Sequence, residues 1–222
     1  MSVLPRSAPM AGPMTKPMTK TRAGTLAALA FSVALTGCGL TRPAPVKNTF
    51  LLDPPLPPAV ASPKAATLRI GTFNVSAPYR DRAFTYRTGD VKYESDFYNE
   101  FFVAPGPMIG QATSKALANA KPFARIVPAG TAPEEGDFVL EGFVSDLYAD
   151  AREKPAAGVV GVNFYLTRTT YPPAVVWTRD YRERVPLAAS TPEALANAWN
   201  EALGRVLASL ARDLAAAELS VK

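Results

Sequence analysis

The chain contains no histidine and a single cysteine, Cys38. Histidine is the commonest general base and metal ligand of proteins, so its absence excludes Ser-His-Asp and Cys-His catalytic arrangements. With one cysteine the chain cannot form an internal disulfide, and packing alone must hold its fold together. A zinc site would have to consist of carboxylates alone, which is unusual. The side-chain inventory therefore predicts a protein that is not an enzyme and that carries no metal and no cofactor.

Carboxylates could still supply acid–base chemistry. Glu134 and Glu135 are adjacent in the segment TAPEEGD, which is typical of a solvated turn rather than a catalytic pair. No glycine-rich phosphate loop or dinucleotide fingerprint is present. One catalytic alternative stays open at this point. It is a hydrolase whose cleft would be lined by Asp137, Glu141 or Asp146.

Cys38 follows a basic and then apolar leader. Three basic residues between positions 16 and 22 precede an uncharged, mostly apolar run from 23 to 34. This is the order of the n-region and h-region of a secretory signal peptide. The apolar run is far shorter than the ~20 residues that a membrane-spanning helix needs. Residues 1–37 are therefore predicted to be a signal peptide that is removed.

Most of the formal positive charge of the chain lies in the leader. The full sequence has 24 basic and 19 acidic residues, a formal charge of +5, but four of the basic residues and none of the acidic ones lie in the leader. The remaining chain is close to neutral and lacks the basic stripe that nucleic-acid binding requires. We predict one domain of ordinary size that does not bind nucleic acid.

A proline-rich segment follows the cysteine. Such a segment is extended and semi-rigid, so residues 38–66 are predicted to tether Cys38 to a folded domain over residues 67–222. Within the tether, Thr49–Asp53 (TFLLD) is apolar enough for a short edge strand. The prolines of the segment are Pro43, Pro45, Pro54, Pro55, Pro57, Pro58 and Pro63.

The hydrophobic periodicity of residues 67–222 predicts an α+β fold. The alternation of apolar residues changes phase at Gly71, which predicts a strand with a bulge. Thr88-Gly89-Asp90 predicts the turn of a hairpin between residues 84–87 and 91–94. Further alternating strands follow over 137–150, 160–166 and 175–184, as expected for antiparallel strands with one wet face.

Two helices complete the predicted domain. The first begins at Pro107, a residue suited to the first helical position. The second begins at the capping-box pattern Ser190–Glu193 and places Trp199 on its apolar stripe. The expected architecture is a two-layer α+β domain, a mainly antiparallel sheet packed by one medium helix and a long C-terminal helix.

Aromatic residues are dense between positions 84 and 102. Tyrosine and arginine are enriched at binding hot spots, although some of these rings must cover the core. Tyr86 and Tyr93 are the strongest candidates for contact with a partner. The predicted partner-binding residues are Tyr86, Arg87, Tyr93, Phe97 and Tyr98.

Leu35-Thr36-Gly37-Cys38 resembles the lipobox of bacterial lipoproteins. The resemblance implies a thioether lipid on Cys38, cleavage before it, and acylation of the new amino terminus. Several acyl chains, each contributing about 0.8 kcal/mol per buried methylene, give a stable membrane anchor. Gly39 stands where an aspartate would imply retention in the inner membrane, so the resemblance implies export to the outer membrane.

Stretches in order along the chain resemble the ABC-type transport auxiliary lipoproteins. They are NTFLLDPP, AFTYRTGDVKYESDFYNEFFVAPGPMI, PFARIVP, DFVLEGFVSDLY and the closing helix over 191–216. The resemblance implies a lipid-anchored protein on the periplasmic face of the outer membrane, a non-catalytic component of an ABC transporter that moves lipids between the two membranes. It implies an MCE-domain protein of that transporter as partner, and self-association of this chain into a ring.

Two further interpretations remain open from the sequence. An outer-membrane assembly or secretion-channel accessory lipoprotein would share the anchor and a similar small α+β domain. A lipid carrier would instead open an apolar pocket of its own between the sheet and the helices.

Overall fold

A computed structural model describes residues 46–128 and 136–219. The predicted signal peptide, Cys38 and the Glu134-Glu135 pair lie outside the described residues. In chain order the elements are β1 Asn48–Phe50, β2 Lys64–Val75, a 3-10 turn Ala77–Tyr79, β3 Ala83–Arg87, β4 Tyr93–Phe101, α1 Pro105–Ala120, β5 Phe123–Val127, β6 Phe138–Asp150, β7 Ala157–Arg168, β8 Ala174–Pro186 and α2 Pro192–Ala216.

The eight strands form one mixed sheet centred on β6. One edge of β6 pairs with β7, which pairs with β8, and these two long ladders are antiparallel. The other edge pairs in parallel first with β2 and then, near its end, with β3. Beyond these lie β5 beside β2, β4 beside β3, and β1 beside β4. The predicted α+β class, with a medium and a long C-terminal helix, is confirmed, and the predicted bulge lies between Ile70 and Phe73.

Both helices pack on this sheet. α1 contacts β2 and β5, α2 contacts β7 and β8, and the helices contact each other. Trp199 is fully buried, as predicted, and its indole Nε1 donates to the backbone oxygen of Tyr148 at 3.2 Å. Of the helices in the described ranges, none has the length and apolarity that crossing a membrane would take.

The start of α2 differs from the predicted capping box by one residue. Thr191, not Ser190, is the N-cap, and its side-chain oxygen accepts from the backbone N–H of Ala194 at 3.2 Å. Pro192 therefore occupies the first helical position, which needs no N–H donor. Glu193 falls in the first turn, where the helix dipole favours negative charge.

The part of the proline-rich segment just before β2 is packed on the helices, whereas its composition predicted an extended, semi-rigid tether. We call residues 51–63 the N-terminal strap. Leu52 is buried, and the backbone N–H of Asp53 donates to Oδ1 of Asn200 on α2 at 2.7 Å. Asn119 on α1 donates to the backbone oxygen of Pro57 at 2.8 Å. An extended proline-rich backbone has no internal hydrogen bonds, so its free carbonyls can accept from helix side chains.

Candidate partner-binding surface

The five predicted binding residues lie on the β3–β4 hairpin, at two separate places. Tyr86, Arg87 and Tyr93 lie where the hairpin turns, whereas Phe97 and Tyr98 lie in an irregular segment further along β4. Since a strand rises about 3.3 Å per residue, Tyr93 and Tyr98 are separated by roughly 16 Å along the strand. The structure therefore divides the predicted surface into two.

The first place is the hairpin tip, residues 87–93. The Arg87 guanidinium donates to the backbone oxygens of Gly89 at 3.3 Å and Asp90 at 2.8 Å, which fixes its position. It also lies 5.6 Å from the centre of the Tyr93 ring, within the range of a cation–π contact. Beside them Val91 is 94% exposed. The tip thus presents an ordered arginine–tyrosine pair and a bare apolar side chain to solvent.

Two further tyrosines, Tyr148 and Tyr79, pack next to Tyr93 of the hairpin tip. The Tyr93 ring meets Tyr148 edge-on at 5.9 Å, and Tyr79 stacks on Tyr148 at 5.7 Å. Burial, and next a hydrogen bond with Tyr93, raise the pKa of Tyr79 above its ordinary value. Neither support was predicted from sequence, because Tyr148 reaches the hairpin only through the pairing of β6 with β3.

Tyr86 is half-buried, although its sequence context made it a leading interface candidate. Its ring packs against the core, and its hydroxyl donates to Oδ2 of Asp96 at 3.1 Å. Burial first, and then the Asp96 charge, raise the pKa of Tyr86. The structure places the Tyr86 side chain on the core side of the hairpin, where its hydroxyl positions Asp96.

The second place is the β4 bulge, residues 96–99. Thr85 pairs with Ser95 and Ala83 pairs with Glu100, so the single residue Phe84 on β3 faces four residues on β4. Extra residues on one strand leave their backbone groups without ladder partners. The side chain of Asp96 supplies some of the missing partners.

Asp96 accepts four hydrogen bonds. Its Oδ1 accepts from the backbone N–H of Tyr98 at 2.8 Å and of Asn99 at 3.0 Å. Its Oδ2 accepts from the Asn99 side chain at 2.9 Å and from the Tyr86 hydroxyl. Burial opposes ionisation of Asp96, but these donors outweigh it and hold the pKa of Asp96 below its ordinary value of 3.8. The bulge is therefore a built structure with an ionised carboxylate at its centre.

The bulge directs two aromatic rings outward. Phe97 is 61% and Tyr98 54% exposed, and their rings meet edge-on at 5.2 Å. Lys47, just before β1, lies with its Nζ 5.5 Å from the centre of the Phe97 ring. Phe102, directly after β4, is 63% exposed and was not among the predicted binding residues.

Replacing Asp96 by asparagine is expected to lower the free energy of unfolding by about 1–2 kcal/mol at neutral pH, because an amide retains one acceptor oxygen and faces two of the four donors with an NH₂ group. The folded-state pKa of Asp96 is depressed, so its stabilisation is present above the unfolded pKa and is lost as the pH falls through the folded pKa. The difference between wild type and Asp96→Asn should therefore shrink below about pH 4. Urea unfolding across that range measures it.

The matched control is Asp180→Asn, which makes the same chemical change on the exposed strand β8. It should change the unfolding free energy by less than about 0.5 kcal/mol at any pH. An Asp96→Asn protein as stable as wild type at neutral pH would contradict the role given to the carboxylate.

The three carboxylates that would line the cleft of a hydrolase do not lie together in the structure. Asp137 lies just before β6 and accepts from the backbone N–H of Thr67, whereas Asp146 pairs with Arg182 at 3.5 Å. Along an extended strand these two residues are separated by roughly 30 Å, with Glu141 between them. In the part of the chain that the structure describes, no three acidic or sulfur-bearing side chains are grouped as metal ligands would be.

A groove beside α1 is open to solvent rather than enclosed. It has a volume of about 780 Å³ and lies between β2 and α1. Phe73 forms part of its wall, and Arg69 and Gln111 also line it. The groove thus combines apolar and charged side chains.

Comparison with solved structures shows which proteins have a similar fold. Protein XCC0632 from Xanthomonas campestris, of family DUF330, superposes with a TM-score of 0.66 at 16% identity, covering 75% of this chain and 95% of that one. A second protein, described as uncharacterised, gives a TM-score of 0.59 at 13% identity over 76% of this chain and 99% of its own. Lipoprotein GNA1162 from Neisseria meningitidis gives 0.38 at 13% identity over 68% and 99%, too loose a likeness for any conclusion. No family model and no curated protein matches the chain. The chain therefore shares the fold of the first two proteins.

Proposed function

We propose that the chain is a lipoprotein, anchored through Cys38 on the periplasmic face of the outer membrane, that serves as a non-catalytic auxiliary component of an MCE-type ABC transporter moving lipids between the two membranes. The lipobox-like sequence at Cys38 and the ordered family resemblance support the anchor and the transporter. The observation on the structure that carries the proposal is the hairpin tip, where the partly buried Arg87 and the exposed Tyr93 form an ordered pair.

The hairpin tip has the properties of a protein-docking surface. Arginine and tyrosine dominate binding hot spots, and a side chain that is already ordered loses less entropy on binding. Arg87 is held by two backbone carbonyls and Tyr93 by the tyrosines beneath it. Val91, exposed at the turn, adds apolar area without supporting the core. In our proposal this tip contacts the MCE-domain protein, and copies of this chain associate into a ring around it.

Photo-crosslinking in cells tests the proposal. A photoreactive phenylalanine analogue at Val91 or at Tyr93 is expected to give an adduct with an MCE-domain protein, identified by mass spectrometry after detergent extraction of the outer membrane. Tyr171 provides the matched control, since it is also a turn tyrosine and is 96% exposed. The same analogue at position 171 should give less than about a tenth of that adduct, because hot-spot contacts are local.

Adducts with other proteins would support a different function. A β-barrel or secretion-channel protein as the only adduct from positions 91 and 93 would favour the assembly-accessory function. Adducts only with a second copy of the chain would make the hairpin tip part of a self-association surface and would contradict its docking to a transporter. A mature amino terminus without acyl chains on Cys38 would overturn the anchor itself.

A further inference from the structure

Exposed apolar side chains gather at the end of the sheet away from the hairpin tip. They lie beside β1, the outermost strand there, or in the part of β4 next to it. We call this group the β1 edge. Its members are Val46, Leu51, Phe97, Tyr98 and Phe102, exposed by 86%, 56%, 61%, 54% and 63%.

The pairing of β1 with β4 separates an inner from an outer face at this edge. Phe50 pairs with Phe101, and both rings contact the buried Phe84, with centroids at 5.1 and 4.8 Å. Directly after the two strands, Leu51 and Phe102 are exposed to solvent rather than packed in the core. The backbone N–H of Phe102 donates to the oxygen of Phe50 at 2.7 Å, which keeps the two strands together at this point.

The outer face also carries two cations around one acid. Glu100 accepts from Lys47 Nζ at 2.9 Å and from Arg82 at 2.6 Å, and its side chain is only 10% exposed beneath them. Lys47 and Arg82 remain 44% and 49% exposed. With Asp96 of the β4 bulge counted, the two cations are balanced by two carboxylates, but the two cations are the partly exposed charges that lie beside the aromatic and aliphatic side chains.

The position of Cys38 limits where this edge can be. Val46 is eight positions after Cys38. A fully extended chain spans at most about 3.6 Å per residue, so Val46, where the β1 edge begins, lies within about 29 Å of an acylated Cys38. Once Cys38 is in a bilayer, the edge is confined to a thin layer next to the lipid surface. At such a high effective concentration, even a weak contact is populated.

We propose that the β1 edge is a phospholipid-binding face, in which Phe97, Tyr98 and Phe102 enter the interfacial layer and Lys47 and Arg82 meet the lipid phosphates. The inference rests on the lipidation of Cys38 proposed above. Aromatic rings are favoured at the boundary between acyl chains and headgroups, and long basic side chains can extend to the phosphates. This orientation directs the hairpin tip, at the other end of β4, away from the bilayer.

The inference is tested on the full mature lipoprotein, reconstituted in vesicles of phosphatidylethanolamine and phosphatidylglycerol. The photoreactive phenylalanine analogue is placed at Phe97, at Phe102 or, as control, at Tyr171 between β7 and β8. Intact-mass and peptide analysis then detects lipid adducts. Positions 97 and 102 are expected to give about tenfold more phospholipid adduct than position 171, because an interfacial side chain contacts lipid continuously. Tyr98 offers a further probe position should a variant at 97 or 102 fold poorly.

The two proposals fail in distinguishable ways. The mass of the amino-terminal peptide is measured first, and an unacylated Cys38 would overturn both. With Cys38 acylated, lipid adducts no more abundant at 97, 98 and 102 than at 171 would overturn the lipid-binding face and leave the anchor standing. Adducts from these positions with protein alone, whether a second copy or another chain, would also overturn it.

Discussion

Replacing Trp199 by alanine is expected to lower the free energy of unfolding by about 3–5 kcal/mol, the usual cost of removing a fully buried large aromatic side chain. The indole is 0% exposed. It meets Phe84 edge-on at 4.7 Å and lies 5.2 Å from Phe101, so it supports both strands of the β3–β4 hairpin. Its removal also leaves the backbone oxygen of Tyr148 without the indole donor. Urea unfolding followed by circular dichroism measures the loss.

Trp177→Ala is the matched control. Trp177 lies on the edge strand β8, is only partly buried, and packs against the margin of the core. Because it leaves a smaller cavity, its removal should cost less than about 2 kcal/mol. Equal losses for the two tryptophans would contradict the central role that the structure gives to Trp199. A domain of this size has a total stability of about 5–15 kcal/mol, so Trp199→Ala should leave it marginal.

Replacing Gly142 by valine is expected to lower the free energy of unfolding by about 2–3 kcal/mol through overpacking. A Cβ at position 142 would lie 2.4 Å from Cε1 and 2.5 Å from Cδ1 of Phe73. The ring cannot simply move aside, because Gly106 and Gly110 on α1 also approach Phe73. A Cβ at 106 would lie 2.5 Å from the Phe73 backbone oxygen, and one at 110 would lie 3.1 Å from the ring.

A smaller side chain at position 73 should relieve the clash. Phe73→Leu alone removes packing, but the double variant with Gly142→Val is expected to be more stable than the sum of the single effects by about 1 kcal/mol or more. Gly89→Ala, in the hairpin tip, provides the glycine control, since a Cβ there would come no closer than 3.3 Å to its nearest neighbour, the Cβ of Lys92. Strictly additive losses in the Gly142–Phe73 cycle would show that the two residues are not coupled.

The parts of the fold that depend on neighbouring residues could be predicted from the sequence. The hairpin around Gly89, the bulge after Ile70 and the apolar stripe carrying Trp199 all follow from local periodicity and turn chemistry. The packing of the strap could not, because Asn200, which binds the backbone of Asp53, lies 147 residues away. From composition alone a proline-rich segment is predicted to be extended and unpacked, because composition does not tell which surface the segment meets in the folded chain.

The candidate site, like the fold, could be predicted from the sequence only in part. The density of aromatic residues indicated that this hairpin carries the candidate binding residues. It could not distinguish Tyr86, whose ring packs against the core, from Phe97, which is exposed. The sequence did hold a usable signal for the β4 bulge. An aspartate whose side chain can accept from backbone N–H groups two and three residues later is typical of an Asx turn, and Asp96 does this with Tyr98 and Asn99.

Some contacts of the N-terminal strap can form only late in the synthesis of the chain. The strap is synthesised before either helix, yet its hydrogen-bond donors Asn119 and Asn200 lie on α1 and α2. Gly204, also on α2, lies so close to Pro55 that a Cβ there would approach the proline ring to 2.7 Å. The part of the strap around Asp53 and Pro55 therefore completes its contacts only after α2, the last helix, has been made and has docked. A chain that loses α2 loses the contacts that Asn200 and Gly204 make with the strap.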